Sequence, residues 1–198
     1  MTSGSGWMRI AAALGSGLMV AGLFPPYNFG ILAWVAMMPL LWALGSLAGK
    51  RAVWKGFGLA YLGGAVSGLI QFNWLETVSW LGAILLPVYL ALYWGLFGAF
   101  AATLRASGLR RAFCLATMWA GLEWLRGWLF TGFGWNGLGV GLHETPTMAQ
   151  GADLLGVAGL SLMLVFFQAA LVGYRPGRWR NLAAAGLLVL AAFGYGKF

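Results

Sequence analysis

A chain of 198 residues that is 61% apolar and only 8% charged cannot clothe a water-soluble globule, because ordinary domains carry about 25% charged side chains. The formal charge of +8, set beside a mean hydropathy of +0.82, places the excess Lys and Arg in membrane loops rather than on nucleic acid. A soluble enzyme, a nucleic-acid-binding module and a disordered chain are thereby excluded.

A spanning helix takes about 20 apolar residues. Seven segments of this kind are predicted, at about 8–24, 30–48, 56–73, 81–104, 112–131, 154–173 and 181–196. The fold class expected is an all-α integral membrane bundle of about seven transmembrane helices, forming one domain over 1–198. The first segment, preceded by Arg9, reads as a retained anchor rather than a signal peptide: no A-x-A-like site closes it, and Pro25-Pro26 follows at once and turns the chain back. Pro39 and Pro87 fall inside the second and fourth segments, where kinks are predicted. Lys50, Arg51 and Lys55 precede the third segment. Arg105, Arg110 and Arg111 precede the fifth, and Arg175, Arg178 and Arg180 precede the seventh. Ten of the twelve basic residues thus share one side, while Glu76, Glu144, Asp153 and Lys197 fall on the other. The positive-inside rule then puts the N-terminus in the cytoplasm and the C-terminus outside.

Of the twelve tryptophans, eight fall near segment ends: Trp34, Trp74, Trp80, Trp128 and Trp135 on the outer side, Trp7, Trp54 and Trp179 on the inner. An aromatic belt explains such a distribution. A lipid-binding wall requires several of them on one face near the outer loop.

Glu123 and Arg126 are the only charged residues inside a predicted span. Ionisable groups at membrane depth are costly and face a bundle interior or water. Their i, i+3 spacing puts both on one helix face, as a structural ion pair or as a polar notch in which Arg126 reaches a lipid phosphate by snorkelling. The segment 132–153 is the longest loop, and its start, TGFGWNGLGVG, reads as an interfacial or re-entrant stretch. Its formal G-x-G-x-x-G match, Gly132 to Gly137, lacks the strand and βαβ context of a nucleotide site. His143 beside Glu144 reads as a solvated imidazole. Cys114, the lone cysteine, excludes disulfides and cysteine metal clusters; it reads as a small buried hydrophobe, with palmitoylation the alternative. No metal site and no cofactor are expected, and no set of side chains completes a covalent mechanism.

The stretch Glu123-Trp-Leu-Arg126-Gly-Trp128-Leu-Phe-Thr-Gly132-Phe resembles the "EWLRGW…TGFPW" signature of bacterial apolipoprotein N-acyltransferases. In order along the chain, Pro25-Pro26-Tyr-Asn-Phe29, the run from Gly56 through Phe72-Asn-Trp74 to Ser79, and Gln150 followed by Leu155-Gly-Val-Ala-Gly-Leu-Ser161 are similar to further stretches of that family. Gly134 departs from the pattern, which usually has proline there. The resemblance implies transfer of an acyl chain from a phospholipid donor to the amino group of a diacylglyceryl lipoprotein acceptor, in the bacterial cytoplasmic (inner) membrane and without nucleic acid. It further implies a Glu-Lys-Cys triad in a nitrilase-like domain beyond the seventh span. On this reading the 198 residues contain no catalytic residue and form a lipid platform that is inactive alone. Trp74, Glu123, Arg126, Trp128, Trp135 and Asn136 are the implied lipid-binding positions. The alternatives are a standalone anchor that recruits a separately encoded nitrilase-like or glycosyltransferase partner, and a small transporter drawing on Glu123, Arg126, Gln71 and Asn73.

Overall fold

The structure is a computed structural model that describes residues 6–173 and 179–197. Every regular element among these residues is helical: α1 Gly6–Ala21, α2 Met38–Gly45, α3 Ala52–Gln71, α4 Trp80–Thr103, α5 Gly108–Arg126, α6 Pro146–Ala149, α7 Ala152–Val172 and α8 Trp179–Tyr195, with short 3-10 turns between them. By length and composition α3, α4 and α7 are the helices able to cross a membrane. At 16 and 17 residues α1 and α8 are shorter, and α5 carries Arg110, Arg111, Glu123 and Arg126. Arg175 and Arg178 lie outside the described residues.

The segment predicted as a second helix over 30–48 is not one helix. It runs as a 3-10 turn, Gly30–Trp34, bends through 35–37, and resumes as α2. Pro39 therefore sits in the first turn of α2, where a missing N–H leaves no gap in the ladder, instead of kinking a long helix. The fifth segment also ends earlier than expected, at Arg126, and passes through Gly127 into irregular backbone.

The chain divides into two compact units. One comprises the residues up to Asn28 together with Ala36–Leu104; the other comprises Phe29–Val35 and the residues from Arg105 onward.

In the first unit α3 is the hub, packed on α1 and α4 through small residues. A Cβ on Gly56 would overlap the carbonyl oxygen of Gly98, and one on Gly98 would overlap that of Gly56. One on Gly64 would lie 2.6 Å from Trp94 Cγ, and one on Gly63 would lie 2.7 Å from the Ala13 carbonyl oxygen. Pro87, buried within α4, lies opposite Gly68. Glycines allow these backbones to touch, which is how helices gain dispersion contact where lipid tails are as apolar as leucine. The start of α2 leaves backbone donors without intrahelical partners, and Ser16 Oγ on α1 accepts from the Leu40 N–H at 2.9 Å in a fully buried position. Replacing Ser16 with alanine strands that donor and is expected to cost about 1 kcal/mol, read as a lower unfolding midpoint in detergent. Arg9 Nε donates to Ser46 Oγ at 2.9 Å, placing a cation at the C-terminal end of α2, where the helix dipole favours it.

In the second unit α5 and α7 pack together. Gln168 of α7, fully buried, donates to the carbonyls of Ala33 at 3.0 Å and Leu164 at 3.2 Å. The Trp34 and Phe167 rings meet edge to face, 5.3 Å apart. These contacts tie the 3-10 turn Gly30–Trp34 to α7. The first turn of α7 is set off by Gly156, whose φ of +66° is a left-handed conformation open to glycine. At the far end of α8, Tyr195 donates its hydroxyl to Asp153 Oδ2 at 2.9 Å.

Candidate functional site around the end of helix α5

Where α5 stops, the chain folds back on its own end. The Phe133 N–H donates to the Arg126 carbonyl at 2.8 Å. Gly132, at φ +80°, makes this return possible, and a Cβ there would overlap the Gly127 carbonyl oxygen. Phe130 and Asn136 also adopt left-handed backbone, at φ +50° and +54°.

Glu123 and Arg126 both reach into the returning loop. Glu123 Oε1 accepts from Trp119 Nε1, one turn earlier on α5, at 2.8 Å, and from the Leu138 N–H at 2.8 Å. The same carboxylate lies against Gly137, where a Cβ would come within 3.2 Å of Oε2. Leu138 begins the 3-10 turn Leu138–Leu142, so the carboxylate caps that turn's first donor, a favourable placement. Arg126 donates from a terminal guanidinium nitrogen to the Trp135 carbonyl at 2.8 Å. With 9% of its surface exposed, its side chain is buried in the unit.

The turn that Glu123 caps is itself buried. Gly139 donates its N–H to Ser161 Oγ of α7 at 2.8 Å, and a Cβ at Gly139 would lie 2.5 Å from the Val157 carbonyl oxygen. Leu138 and Leu142 are among the most deeply buried side chains of the chain. The turn Leu138–Leu142 is thus internal to its unit, so its irregular backbone is satisfied by protein partners.

The outside of this assembly is aromatic. Trp128 is 70% exposed and Trp135 is 61% exposed. Trp128 tilts against Trp124 at 5.9 Å, and Trp135 stacks on Phe133 at 6.1 Å. Of the six positions singled out from the sequence, Glu123, Arg126, Trp128, Trp135 and Asn136 are brought together at this loop. Trp74 belongs to the other unit, exposed in the 3-10 turn Asn73–Thr77. His143 and Glu144 are both exposed, with Nε2 and Oε1 4.0 Å apart, which agrees with a solvated imidazole. Cys114 is half-buried rather than buried. Among the described residues no cluster of His, Cys, Asp or Glu could hold a metal ion.

Trp119, Gly137 and Ser161 are the participants that sequence reasoning missed. Trp119 was open to discovery, since an indole donor one turn before a buried carboxylate is an i, i+4 partner. Gly137 and Ser161 carry no local signal, because their partners are brought to them by the return of the chain.

Comparison with known proteins bears on this arrangement. The family model described as the apolipoprotein N-acyltransferase N-terminal domain matches residues 16–170, a range that includes all six singled-out positions. The chain is 35% identical to the apolipoprotein N-acyltransferase of Allorhizobium ampelinum, 34% identical to that of Agrobacterium fabrum and 32% identical to that of Brucella suis. Each match covers 98% of this chain and 40% of the relative, so the chain spans well under half the length of these curated relatives. With the family's N-terminal domain matched over residues 16–170, most of this chain, and the Glu123–Arg126 loop inside that match, the chain belongs to the apolipoprotein N-acyltransferase family.

Proposed function

We propose that these 198 residues are the membrane-embedded lipid platform of an acyltransferase that acts on apolipoproteins. It is a multi-pass helical bundle in the bacterial inner membrane, with the N-terminus cytoplasmic and the C-terminus periplasmic. The observation that carries this reading is the match to relatives bearing that activity's name over 98% of the chain and only 40% of their length. The three long apolar helices and the one-sided distribution of Lys and Arg support the membrane placement.

Within the platform the residues divide their work. Trp128 and Trp135 offer exposed indole faces to the acyl chains and headgroup boundary of a phospholipid donor, and Trp74 does the same in the other unit. Glu123, Arg126 and Asn136 hold the loop that presents Trp135, the first two by direct hydrogen bonds and Asn136 by its left-handed turn. The acyl-transfer chemistry, including any nucleophile for a thioester route, belongs to residues outside these 198. Cys114 lies in α5, well before this loop, and His143, at the end of the turn Leu138–Leu142, has its ring nitrogen Nδ1 3.0 Å from the Val140 carbonyl oxygen.

Expression of the 198-residue chain alone in a strain depleted of its own N-acyltransferase, followed by mass spectrometry of lipoprotein N-termini, tests this. The expected result is lipoprotein that keeps its diacylglyceryl group and a free amine. Triacylated lipoprotein from this chain alone would overturn the reading.

A further inference from the structure

Unit 1 is electrically one-sided. The Arg9–Ser46 hydrogen bond brings the start of α1 to the end of α2 and hence to the segment leading into α3. Arg9, Lys50, Arg51 and Lys55 therefore gather at one end of the unit. The side chains of Lys50, Arg51 and Lys55 are exposed and enter no ion pair among the described residues. Arg51 and Lys55 are one helical turn apart, a like-charge pair that repels. They also stand at the positive end of the α3 dipole, which has no side-chain cap and no acid in its first turn. The one carboxylate of this unit, Glu76, follows the other end of α3, about 30 Å away for a helix of this length. No carboxylate of the unit lies at this end, which leaves Lys50, Arg51 and Lys55 open to an anion from outside.

The neighbouring side chains indicate what kind of anion. Trp7 is 70% exposed and Trp54 is 77% exposed, with the apolar Ile10 and Val53 exposed beside them in sequence. Cations alternating with indoles at the ends of apolar helices match the boundary between phosphate headgroups and acyl tails, whereas a partner protein docking on charge alone would need no such indoles. We propose that this end of the unit binds anionic phospholipid, with the headgroup phosphate lodged against the Arg51–Lys55 row and Trp7 and Trp54 lying along the first carbons of the tails. The site rests on the reading that α1 and α3 cross the bilayer. It shares no residue with the loop at the end of α5, and its ligand is retained, not consumed.

The test uses the 198-residue chain in mixed micelles containing equal dioleoyl phosphatidylglycerol and dioleoyl phosphatidylcholine, with retained lipid measured by native mass spectrometry. Phosphatidylglycerol is expected to be retained in preference, and the Arg51→Gln/Lys55→Gln double variant is expected to lower that preference by about twenty-fivefold, or about fivefold per cation removed. Lys55→Arg should keep it. The wild-type preference should also decline steeply with added salt, a readout that needs no variant. Equal retention of the two lipids, a salt-insensitive preference, or an unchanged preference in a double variant with intact helicity would each overturn the proposal. Stoichiometric capture of an acidic protein at this end without lipid preference would do the same. No acyl transfer is read in this experiment, so its failure leaves the lipoprotein test standing, and the reverse also holds.

Discussion

Replacing Glu123 with alanine is expected to remove about 3 kcal/mol of stability and to release the 132–142 segment. The carboxylate accepts two hydrogen bonds at 2.8 Å, one from an indole and one from a backbone N–H. Hydrogen bonds to a charged group contribute about 1.5–3 kcal/mol each. The lower end applies here because the side chain is only part-buried, where solvent screens its charge. Alanine leaves both donors stranded, and it also removes the group that Gly137 lies against. Glutamine keeps an acceptor in place and should cost about half as much. Thermal unfolding in detergent and limited proteolysis measure the two consequences. If Glu123→Ala unfolds at the wild-type midpoint and the loop stays protected, the carboxylate is not what holds the loop. A purely electrostatic role towards lipid predicts a different pattern, with glutamine as damaging as alanine.

The second large effect lies in the first unit. Gly98→Leu and Gly56→Leu should each cost about 3 kcal/mol or more, at or above the usual 1–3 kcal/mol for an overpacked core. The obstacle in each case is the carbonyl of the other glycine, and backbone cannot rotate aside as a side chain can. The two helices must separate, which forfeits dispersion contact along the whole of their interface. Once one substitution has parted them the second meets little resistance, so the double variant should cost clearly less than the sum of the single ones. Gly58→Leu is the control. It lies on the same helix with nothing within 4 Å of its Cβ, and it should be neutral or slightly stabilising because glycine is a poor helix former. Unfolding midpoints of the four variants decide the matter. A Gly98→Leu variant as stable as Gly58→Leu would show that α3 and α4 are not in contact there.

How far the fold was readable in the sequence depends on the range of the interactions that decide each part. Helices α3, α4 and α7 were legible from long apolar runs, and their observed bounds differ from the predicted spans by a few residues. The run over 30–48 was equally apolar, yet it divides at 35–37. Its two halves pack on different partners, Gly30–Trp34 on α7 through Gln168 and α2 on α1 through Ser16. Neither partner leaves a mark in the local sequence. Pro39 did carry information, but it was open to two readings, as a kink or as a first-turn residue, and only the helix start at Met38 chose between them.

The candidate site shows the same division. Glu123 and Arg126 stood out because charge inside an apolar run is costly and requires a partner, and both do have partners. The i, i+3 reading took account only of neighbours on their own helix, and the bonds to Trp135 and Leu138 come from the returning chain. The glycine-rich stretch after Thr131 was read as interfacial or re-entrant, and in the structure Leu138, Gly139 and Leu142 of it are buried, with Gly139 bonded to Ser161 of α7.

Composition and charge therefore determined by themselves that this chain is helical and apolar enough for a membrane, because backbone groups removed from water must bond within their own segment. They also singled out the two charged residues worth following. Tertiary structure alone decided that Glu123 caps a backbone turn fifteen residues further on and that Arg126 holds a carbonyl nine residues further on. The path of a returning loop is set by where its glycines can touch another helix, and that is a property of the packed unit rather than of any stretch within it.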